Sequence, residues 1–528
     1  MAMVKSWRIS GIKLLLFVFF LFTVILPLFR MFGEMATTNV GALLSSARFL
    51  SALKNSLWAS LLSTILSVGV ATLLAWCIVR TGIRFKGMWI VLFTIPMLIP
   101  SISHGMGLMV LLGSNGILTN LFPMDVKLYG LFGIIAGSFL YSFPVAFLMV
   151  LDILRYEDSG PYEAANTLGI GKGRQFCAIT LPYLRKPMVS VLFAIFTLVI
   201  TDYGVPLMVG GQYTTLPVIL YQDVIGLLDF GKGSVISLVL LFPAIIAFLL
   251  DVFNRDKGNL AYEARPFAIN RHALRDTLSY ILCIFISILV VLPILAFSLL
   301  TFATKYPHNL TYTLGNILRA LNMNAGQYLW NSILIALLVA VIGTLLAFAT
   351  GYITARTHGK SGKMLHLITI TSLAIPGIVL GLSYILFFGG SFLAGTLWIL
   401  VLVNLIHFIA SPYLMVYNSL SKVNENLEAV GATLGVGRFR IIWNVILPLS
   451  KRTLVEMFSY LFVNSMITIS AVSFLATVAT RPLALMINTF EATMMLECAS
   501  FVSLLILGVN LLVKGGIGLY THRLEKKS

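Results

Sequence analysis

The sequence predicts an all-α polytopic membrane protein built from two parallel six-helix repeats. The chain of 528 residues is 59% hydrophobic and only 10% charged, with a mean hydropathy of +0.97. A single soluble core cannot contain that much apolar surface, so the composition indicates a bilayer as solvent. Apolar runs close to the roughly 20 residues needed to cross the hydrocarbon recur along the chain, and the two halves of the chain resemble each other.

Twelve apolar segments are predicted to be transmembrane helices, six in each half. In chain order they cover residues 14–28, 56–79, 88–112, 131–151, 189–207, 235–250, 277–302, 333–355, 365–388, 396–416, 453–474 and 501–513. The first segment follows a basic N-terminus and continues past Pro27 without a small-residue cleavage site. We therefore interpret it as a retained helix rather than a signal peptide.

The Lys and Arg residues are distributed unevenly between the loops. With the N-terminus placed in the cytoplasm, 28 of the 36 lie in segments on the cytoplasmic side. Because cytoplasmic loops of membrane proteins are enriched in Lys and Arg, this distribution predicts that both termini are cytoplasmic. The formal net charge of +17 is then explained by topology, and no nucleic-acid partner is predicted.

An internal repeat emerges when the two halves are compared in order. "LKNSLWASLL" at residue 53 resembles "LWNSILIALL" at residue 329, Val79–Thr81 matches Ala355–Thr357, Ile99-Pro100 recurs as Ile375-Pro376, Pro144 recurs as Pro412, and Thr215–Pro217 matches Thr480–Pro482 loosely. Since six helices is an even number, the two copies share one orientation, which is a parallel repeat. We predict a first domain at 1–253, a cytoplasmic linker at 254–276 and a second domain at 277–528.

A polar loop with several glycines follows the fourth helix of the first half. This first loop, residues 160–187, contains "EAANTLGIGKGRQFCAITLP" from Glu163 onwards. A short helix at 162–168 is predicted to end at Gly169, because glycine readily takes the left-handed conformation of a helix C-terminus. Pro182 and Pro187 are predicted in the first turns of the next helix. A surface helix that exposes small side chains and charges indicates a docking partner.

The first loop and its copy at residues 424–452, the second loop, resemble the EAA loop of binding-protein-dependent ABC importers. In that family the loop forms a coupling helix that fits a groove on the ATPase subunit. The first loop matches the motif at Glu163, Ala164, Ala165, Gly169, Ile179, Leu181 and Pro182. The second loop keeps Leu434-Gly435 and Leu447-Pro448 but has Ala429 for the glutamate, with Glu428 one residue early, Gly431 for the second alanine and Val445 for the isoleucine. The resemblance therefore implies an asymmetric pair of docking sites.

The resemblance covers nearly the whole chain and implies a type I ABC importer permease of the fused ferric iron, thiamine, spermidine and 2-aminoethylphosphonate branch. It implies a bacterial cytoplasmic (inner) membrane location, two copies of a separate ATP-binding cassette ATPase and an extracytoplasmic substrate-binding protein. No cofactor is implied for this chain, because ATP and Mg²⁺ are bound by the partner subunits. The run "TDYGVPLMVGGQY" from Thr201 is most similar to permeases for 2-aminoethylphosphonate, and ferric iron permeases are next.

No enzyme motif is complete in the sequence. Gly226–Gly233 has the spacing of a phosphate-binding loop but ends in glycine where the Mg²⁺-contacting Ser or Thr is needed, and Thr354–Ser361 has threonine at the first glycine. The four cysteines have no CxxC spacing, so neither a zinc site nor a disulfide framework is predicted. The sequence therefore predicts a transport protein that is not itself an enzyme.

Six residues are candidates for a translocation path. His104 lies in the third segment, where prolines and glycines at membrane depth indicate packed or cavity-lining backbone, and we interpret the kinks there as a gate. Asp202 and Tyr203 follow the fifth helix. The second half offers Asn464, Thr468 and Ser470. An ionisable group at that depth is a functional hypothesis, although a carboxylate near the interface is often simply hydrated. Because Asp202 would repel a phosphonate, the cargo is a cation or zwitterion, or else Asp202 is structural.

A secondary transporter of the major facilitator type is the alternative from another class, since it also pairs two six-helix halves in parallel. Its signature charges would follow the second helix, where Arg80–Gly87 is short and has no acid. Transport driven by an ion gradient without ATP would favour this alternative.

Overall fold

The computed structural model describes residues 2–122, 126–254, 265, 267, 269, 271–356, 359–424 and 426–525, and this part of the chain is almost entirely helical. Most of the predicted linker at 254–276 lies outside the described residues. The α-helices of the first half are Ala2–Phe20, Leu26–Glu34, Val40–Leu44, Ala47–Arg80, Lys86–Thr94, Ser101–Leu112, Ile117–Leu121, Leu131–Arg155, Gly160–Thr167, Lys172–Gln175, Leu181–Ile200, Gly204–Val209, Leu216–Tyr221 and Phe230–Asn254.

The second half repeats this order of long and short helices. Its α-helices are Ala273–Leu300, Gly315–Asn322, Ala325–Ala355, Lys360–Thr371, Gly377–Phe388, Leu397–Phe408, Ala410–Ser421, Asn426–Thr433, Arg438–Ile441, Leu447–Leu449, Lys451–Ile467, Leu483–Ala492 and Leu496–Glu525. Short π-helical turns lie at Leu21–Ile25, Phe176–Thr180, Gln222–Gly226 and Ile442–Ile446, and 3₁₀ turns at Met35–Thr37, Ile95–Leu98 and Ser372–Ala374. Two antiparallel strands, Ala303–Lys305 and Asn309–Tyr312, form a hairpin.

The all-α polytopic fold is confirmed, with fewer continuous spans than the twelve predicted. In the described part of the chain, nine helices are long and apolar enough to cross a membrane, and two bent pairs raise the number to eleven. The segment predicted at 453–474 falls short because its helix, Lys451–Ile467, has only 17 residues. Thr468 takes an extended conformation with φ −69° and ψ 134°, so the helix ends there despite the apolar residues that follow.

Both copies of the third membrane segment are broken at the repeated Ile-Pro pair. Pro100 and Pro376 have almost the same extended conformation, with ψ of 150° and 144°. In the second half, the two helices on either side of the break meet at 108°. Proline removes a backbone donor and disfavours the helical conformation of the residue before it, and at these two positions the helix is interrupted.

The repeated Asn-Ser pair, at residues 55–56 and 331–332, makes equivalent hydrogen bonds in the two halves. Asn55 Nδ2 donates to the carbonyl of Thr214 at 3.0 Å, and Asn331 Nδ2 donates to the equivalent carbonyl of Arg481 at 3.2 Å and also to that of Ala479 at 2.9 Å. The serine that follows each asparagine accepts a backbone N–H, that of Leu216 at 2.8 Å in the first half and that of Leu483 at 2.7 Å in the second. The predicted match of Thr215–Pro217 with Thr480–Pro482 is therefore out of register by two residues.

The two halves pack closely through their broken third segments. Asn510, on the last helix of the chain, donates from Nδ2 to the carbonyl of Leu98 at 2.8 Å, which satisfies a backbone group freed by the first break. Tyr384, on the second broken segment, donates to the carbonyl of Thr23 in the first helix of the chain at 2.8 Å. Since buried carbonyls need partners, each half completes the hydrogen bonding of the other.

Two faces of the helical bundle can be distinguished. The helix Ala273–Leu300 begins beside Gly82, whose N–H donates to Asp276 Oδ1 at 3.1 Å. It ends at the β-hairpin, about 40 Å away at 1.5 Å per residue. Because the two loops lie at the same end as Gly82, we call that end the loop face and the hairpin end the opposite face.

Candidate functional site

The first loop forms the short surface helix that the sequence predicts. The helix spans Gly160–Thr167, and Gly169 follows with a φ of +71°. The N–H of Gly169 donates to the carbonyl of Asn166 at 3.1 Å, and the N–H of Ile170 donates to that of Ala165 at 2.9 Å. The left-handed glycine thus ends the helix and turns the chain sharply, as glycine does at many helix C-termini.

The second loop repeats this geometry closely. Its helix spans Asn426–Thr433, and Gly435 also has a φ of +71°. The N–H of Leu434 donates to the carbonyl of Val430 at 3.0 Å, and the N–H of Val436 donates to that of Gly431 at 2.8 Å. The two loops therefore share one backbone shape, although their motif residues differ.

The prediction that both prolines stand in the first turns of a new helix is confirmed for Pro182, the second residue of the helix Leu181–Ile200, and is wrong for Pro187. A continuous helical stretch runs from Lys172 to Ile200, and Pro187 lies well inside it. A π-helical turn at Phe176–Thr180 comes directly before Leu181 and Pro182. This wider turn changes the hydrogen-bond pattern just before Pro182, which lets the helix continue through a residue without an N–H.

Most of the motif residues face solvent. Those exposed in the first loop are Glu163, Ala164, Gly169, Leu181 and Pro182, and those exposed in the second are Ala429, Gly435 and Pro448. Ala165 and Gly431 are buried, whereas Glu428 and Leu447 are half-buried. The exposed set leaves one side of each short helix free for contact with another molecule.

The second loop has glycine at position 431 because a neighbouring side chain occupies the space of a methyl group. A Cβ built at Gly431 would lie 2.3 Å from Cδ1 of Ile441. In the first loop, the equivalent pair is Ala165 and Gln175. The Gln175 amide instead donates to Asn166 Oδ1 and to the carbonyl of Ile170, both at 2.7 Å. The second loop therefore combines a smaller residue at position 431 with Ile441, where the first loop combines Ala165 with Gln175.

An arginine at the end of the second membrane helix anchors the first loop. Arg80 pairs with the carboxylate of Glu157, which also accepts a hydrogen bond from the Tyr162 hydroxyl. Burial and the hydrogen bond to Glu157 raise the pKa of the Tyr162 phenol to about 12. The Arg80 guanidinium also stacks 3.0 Å from the ring centroid of Phe267, so a described residue of the predicted linker packs against this loop.

The equivalent arginine of the second half anchors the second loop by a different contact. Arg356 Nε donates to Glu428 Oε1 at 3.0 Å, and a second arginine, Arg438, donates to Glu428 Oε2 at 3.2 Å. Glu428 stands where the first loop has Tyr162. The sequence showed both arginines in the repeated "VRT" and "ART", but it gave no sign that they hold the loops.

The glutamate of the first loop differs from that of the second in its surroundings. Glu163 is exposed and accepts a hydrogen bond from the Ser159 hydroxyl at 2.9 Å. Glu428 is held between two arginines. The first loop thus offers a carboxylate to solvent, and the second offers exposed apolar groups, including Phe439 and Trp443, whose rings stack 6.3 Å apart.

Of the predicted path residues of the first half, Tyr203 contacts the second half directly, whereas His104 and Asp202 contact residues of their own half. His104 is buried, with its ring centroid 6.2 Å from that of Tyr141. Asp202 Oδ2 accepts the N–H of Val205 at 3.0 Å. The Tyr203 hydroxyl hydrogen-bonds with Ser473 Oγ at 2.7 Å and accepts from Asn488 Nδ2 at 3.3 Å, so Tyr203 joins the first half to the second.

The predicted path residues of the second half are spread along the helix that follows the second loop and the turn after it. Asn464 Nδ2 donates to the carbonyl of Tyr460 at 2.8 Å, and the N–H of Thr468 donates to the carbonyl of Asn464 at 3.1 Å. Ser470 lies so close to Gly377 that a Cβ there would be 2.4 Å from its Oγ. Ser470 is therefore a packing contact with the second broken segment.

Two cavities lie beside these residues. The outer cavity, near the opposite face, has a volume of about 500 Å³ and is lined by residues of both halves, including Tyr221, Ser473, Arg481, Asn488 and Thr489. The inner cavity, nearer the loop face, has a volume of about 290 Å³ and is lined by Asn464 together with Glu456 and Lys514. Arg481, Glu456 and Lys514 could not be predicted as cavity residues, because nothing in their spacing in the sequence marks them.

The duplicated six-helix halves and the matched surface loops are typical of multi-pass permeases built from a repeated unit. The family model described as "Binding-protein-dependent transport system inner membrane component" matches residues 67–255 and again residues 347–526. The chain belongs to this family, the inner-membrane permeases of ABC importers. Nothing in the match supports the major facilitator alternative.

Named relatives align with either most of this chain or a part of it. The ferric transport system permease protein of Actinobacillus pleuropneumoniae is 24% identical over 493 residues, which cover 89% of this chain and 72% of that protein. The thiamine transport system permease protein of Brucella abortus (strain 2308) is 26% identical over 204 residues, 37% of each chain. The molybdenum transport system permease protein of Azotobacter vinelandii is 25% identical over 219 residues, which are 97% of that protein but only 40% of this chain. About one half of this chain thus corresponds to that whole relative.

Proposed function

We propose that this permease is driven by two copies of a separate ATP-binding cassette ATPase, which dock on the first and second loops. This proposal rests on the pair of short helices that end at left-handed glycines and expose apolar side chains. Leu168 and Leu434 stand at matching positions and are 76% and 73% exposed. Exposed apolar side chains on a structured surface loop indicate that the loop binds another protein.

The proposed sidedness follows from the same loops and from the Lys and Arg distribution. The loop face is cytoplasmic, both termini are cytoplasmic, and the opposite face receives an extracytoplasmic substrate-binding protein. ATP and Mg²⁺ are held by the partner subunits, and the chain itself needs no cofactor. ATP closes the two ATPase subunits, the loops move with them, and the interface between the halves alternates between two states.

Two cargoes are supported by different observations. Relatives named for ferric transport align with most of this chain, which supports ferric iron. The resemblance of the run from Thr201 supports 2-aminoethylphosphonate. Asp202 accepts the backbone N–H of Val205, which favours a structural role for this carboxylate and weakens the objection to an anionic cargo.

Site-specific photo-crosslinking tests the docking proposal. A benzoylphenylalanine probe replaces Leu168 or Leu434 on the loop face, and a third variant carries it at Tyr312, which is 74% exposed on the opposite face. In cells, the two loop probes are expected to capture an ATP-binding cassette protein, and the Tyr312 probe is not. Capture of that ATPase from Tyr312 but from neither loop would overturn the proposed docking.

The energy source is tested in proteoliposomes that contain the permease and its co-purified ATPase. Uptake of ferric citrate or 2-aminoethylphosphonate is expected to need ATP and to persist when an ionophore collapses the ion gradients. Uptake that follows a proton gradient without ATP would contradict the proposal.

A further inference from the structure

Among the described residues that line the outer cavity, one carries a positive charge and the others are neutral. Its charged lining residue is Arg481, and the other polar lining residues are Tyr221, Ser473, Asn488 and Thr489. The remaining walls are apolar, with Phe230, Phe474 and Leu485 among them. A guanidinium in such surroundings exerts a stronger field on a ligand than it would in open water.

The Arg481 side chain makes few contacts with the protein. Its Nη1 donates to Thr489 Oγ1 at 3.2 Å. Among the residues that the structure describes, no carboxylate forms an ion pair with Arg481. Because a guanidinium carries five N–H donors in a planar fork, most of them stay available to an acceptor that enters the cavity.

A second lining residue has an unused hydrogen-bonding atom. Asn488 Oδ1 is buried and has no hydrogen-bond partner in the described part of the chain, whereas Asn488 Nδ2 donates to the Tyr203 hydroxyl. Buried polar atoms are rarely left without a partner in native structures. Asn488 therefore brings an unused acceptor to the wall of the cavity that also holds Arg481.

The cavity also adjoins the contact that joins the two halves. Tyr203 hydrogen-bonds with two of the lining residues, Ser473 and Asn488, and stacks on a third, Tyr221, with ring centroids 4.6 Å apart. A ligand that draws Asn488 or Ser473 towards itself therefore competes with the bonds that tie Tyr203 to the second half.

We propose that the outer cavity binds an oxyanion group of the cargo through the Arg481 guanidinium, with Asn488 Oδ1 accepting a donor from the same cargo. This inference rests on the proposed function, because it assigns the chemical class of the cargo to a permease whose cargo is proposed. A phosphonate and the oxyanion of a ferric complex share this chemistry. The arginine is specific to the second half, because the structural match of Leu216 with Leu483 places Thr214 where the second half has Arg481.

Binding to the purified full chain in lipid nanodiscs tests the proposal. The probes are inorganic phosphate, 2-aminoethylphosphonate, ferric citrate and, as a cation without an oxyanion, ethylamine, each measured by equilibrium dialysis. Arg481→Gln is expected to weaken binding of the oxyanion probes at least tenfold, and Arg481→Lys to weaken it less, because lysine keeps the charge but loses the fork. Arg319→Gln, a change to an exposed arginine on the same face, is the matched control and is expected to bind like the wild type.

The results separate failure of this inference from failure of the proposed function. If Arg481→Gln, shown to be folded by its gel-filtration profile, binds every oxyanion as the wild type does, or if the wild type binds only ethylamine, the site assignment is overturned. The photo-crosslinks from Leu168 and Leu434 do not depend on Arg481. If Arg481→Gln binds anions as the wild type does and the crosslinks are still formed, the site assignment fails but the proposed ATPase docking does not. A preference for 2-aminoethylphosphonate or for ferric citrate identifies the source of the oxyanion.

Discussion

Arg356 donates to Glu428 at 3.0 Å, and the two side chains are only 4% and 11% exposed. This ion pair ties the end of a long membrane helix to the short helix of the second loop, 72 residues further along the chain. Arg356 also donates to the carbonyl of Val423 at 3.0 Å. In the first half, the equivalent residue Arg80 anchors the first loop by pairing with Glu157. Arginines at equivalent positions therefore anchor the two loops through different glutamates.

Removal of Arg356 is expected to loosen the second loop. Loss of one partner from a buried ion pair typically costs about 3–5 kcal/mol, and the expected loss here is smaller because Arg438 still pairs with Glu428. Arg356→Met is therefore predicted to lower the apparent unfolding temperature and to raise hydrogen exchange across residues 426–441. The double change Arg356→Met with Glu428→Gln should recover part of the loss.

The control for this prediction is Arg452→Gln. The Arg452–Glu456 pair is 64% and 43% exposed, and such surface pairs contribute only about 0–1 kcal/mol. If Arg356→Met and Arg452→Gln changed stability and hydrogen exchange equally, the anchoring role of Arg356 would be refuted.

Alanine at the left-handed glycines is expected to destabilise the loops locally. An L-residue in this conformation costs roughly 1–2 kcal/mol, and both Gly169 and Gly435 have a φ of +71°. Gly169→Ala should increase hydrogen exchange over residues 160–170 and reduce the crosslink from Leu168. Gly171→Ala is the control, because Gly171 has a φ of −62° and open space where the methyl group of an alanine would lie. Equal effects from Gly169→Ala and Gly171→Ala would count against the conformational argument.

Restoring the motif alanine at position 431 is expected to harm the second loop. A methyl group there would lie 2.3 Å from Cδ1 of Ile441, and overpacking of this kind typically costs about 1–3 kcal/mol. Gly431→Ala should lower stability, and Ile441→Val should reverse much of that loss because it removes the clashing carbon. The measurement is a double-mutant cycle on the unfolding temperature. Additive effects of the two changes would show that the residues do not compete for this space.

The native cysteines offer a test of sidedness without an introduced label site. Cys177, on the first loop, is exposed, whereas Cys77, Cys283 and Cys498 are buried. In intact spheroplasts, a membrane-impermeant maleimide is expected to leave the chain unlabelled. Inverted vesicles should be labelled at Cys177, and Cys177→Ser should abolish that signal. Labelling of Cys177 in intact spheroplasts would place the loop face outside the cell and contradict the proposed topology.

Much of the fold was predictable because it depends on local composition. The lengths of the apolar runs predict the helices, and the Ile-Pro pairs at 99–100 and 375–376 mark the two breaks, whereas Pro144, Pro187, Pro243 and Pro293 lie inside helices. The left-handed ends of both loops follow from Gly169 and Gly435. The span at 453–474 was overestimated, because apolar residues after Ile467 pack in turns against the other half instead of continuing the helix.

The sequence by itself determined the membrane-protein class, the duplication and the positions of the two loops, because these depend on hydropathy, repeat spacing and backbone preference. Only the tertiary structure decided that Arg80 and Arg356 anchor the loops, that Ile441 requires glycine at 431, and that Arg481 and Asn488 line one cavity. The physical reason is that these contacts join side chains far apart in the chain, and their distances are set by how whole helices pack.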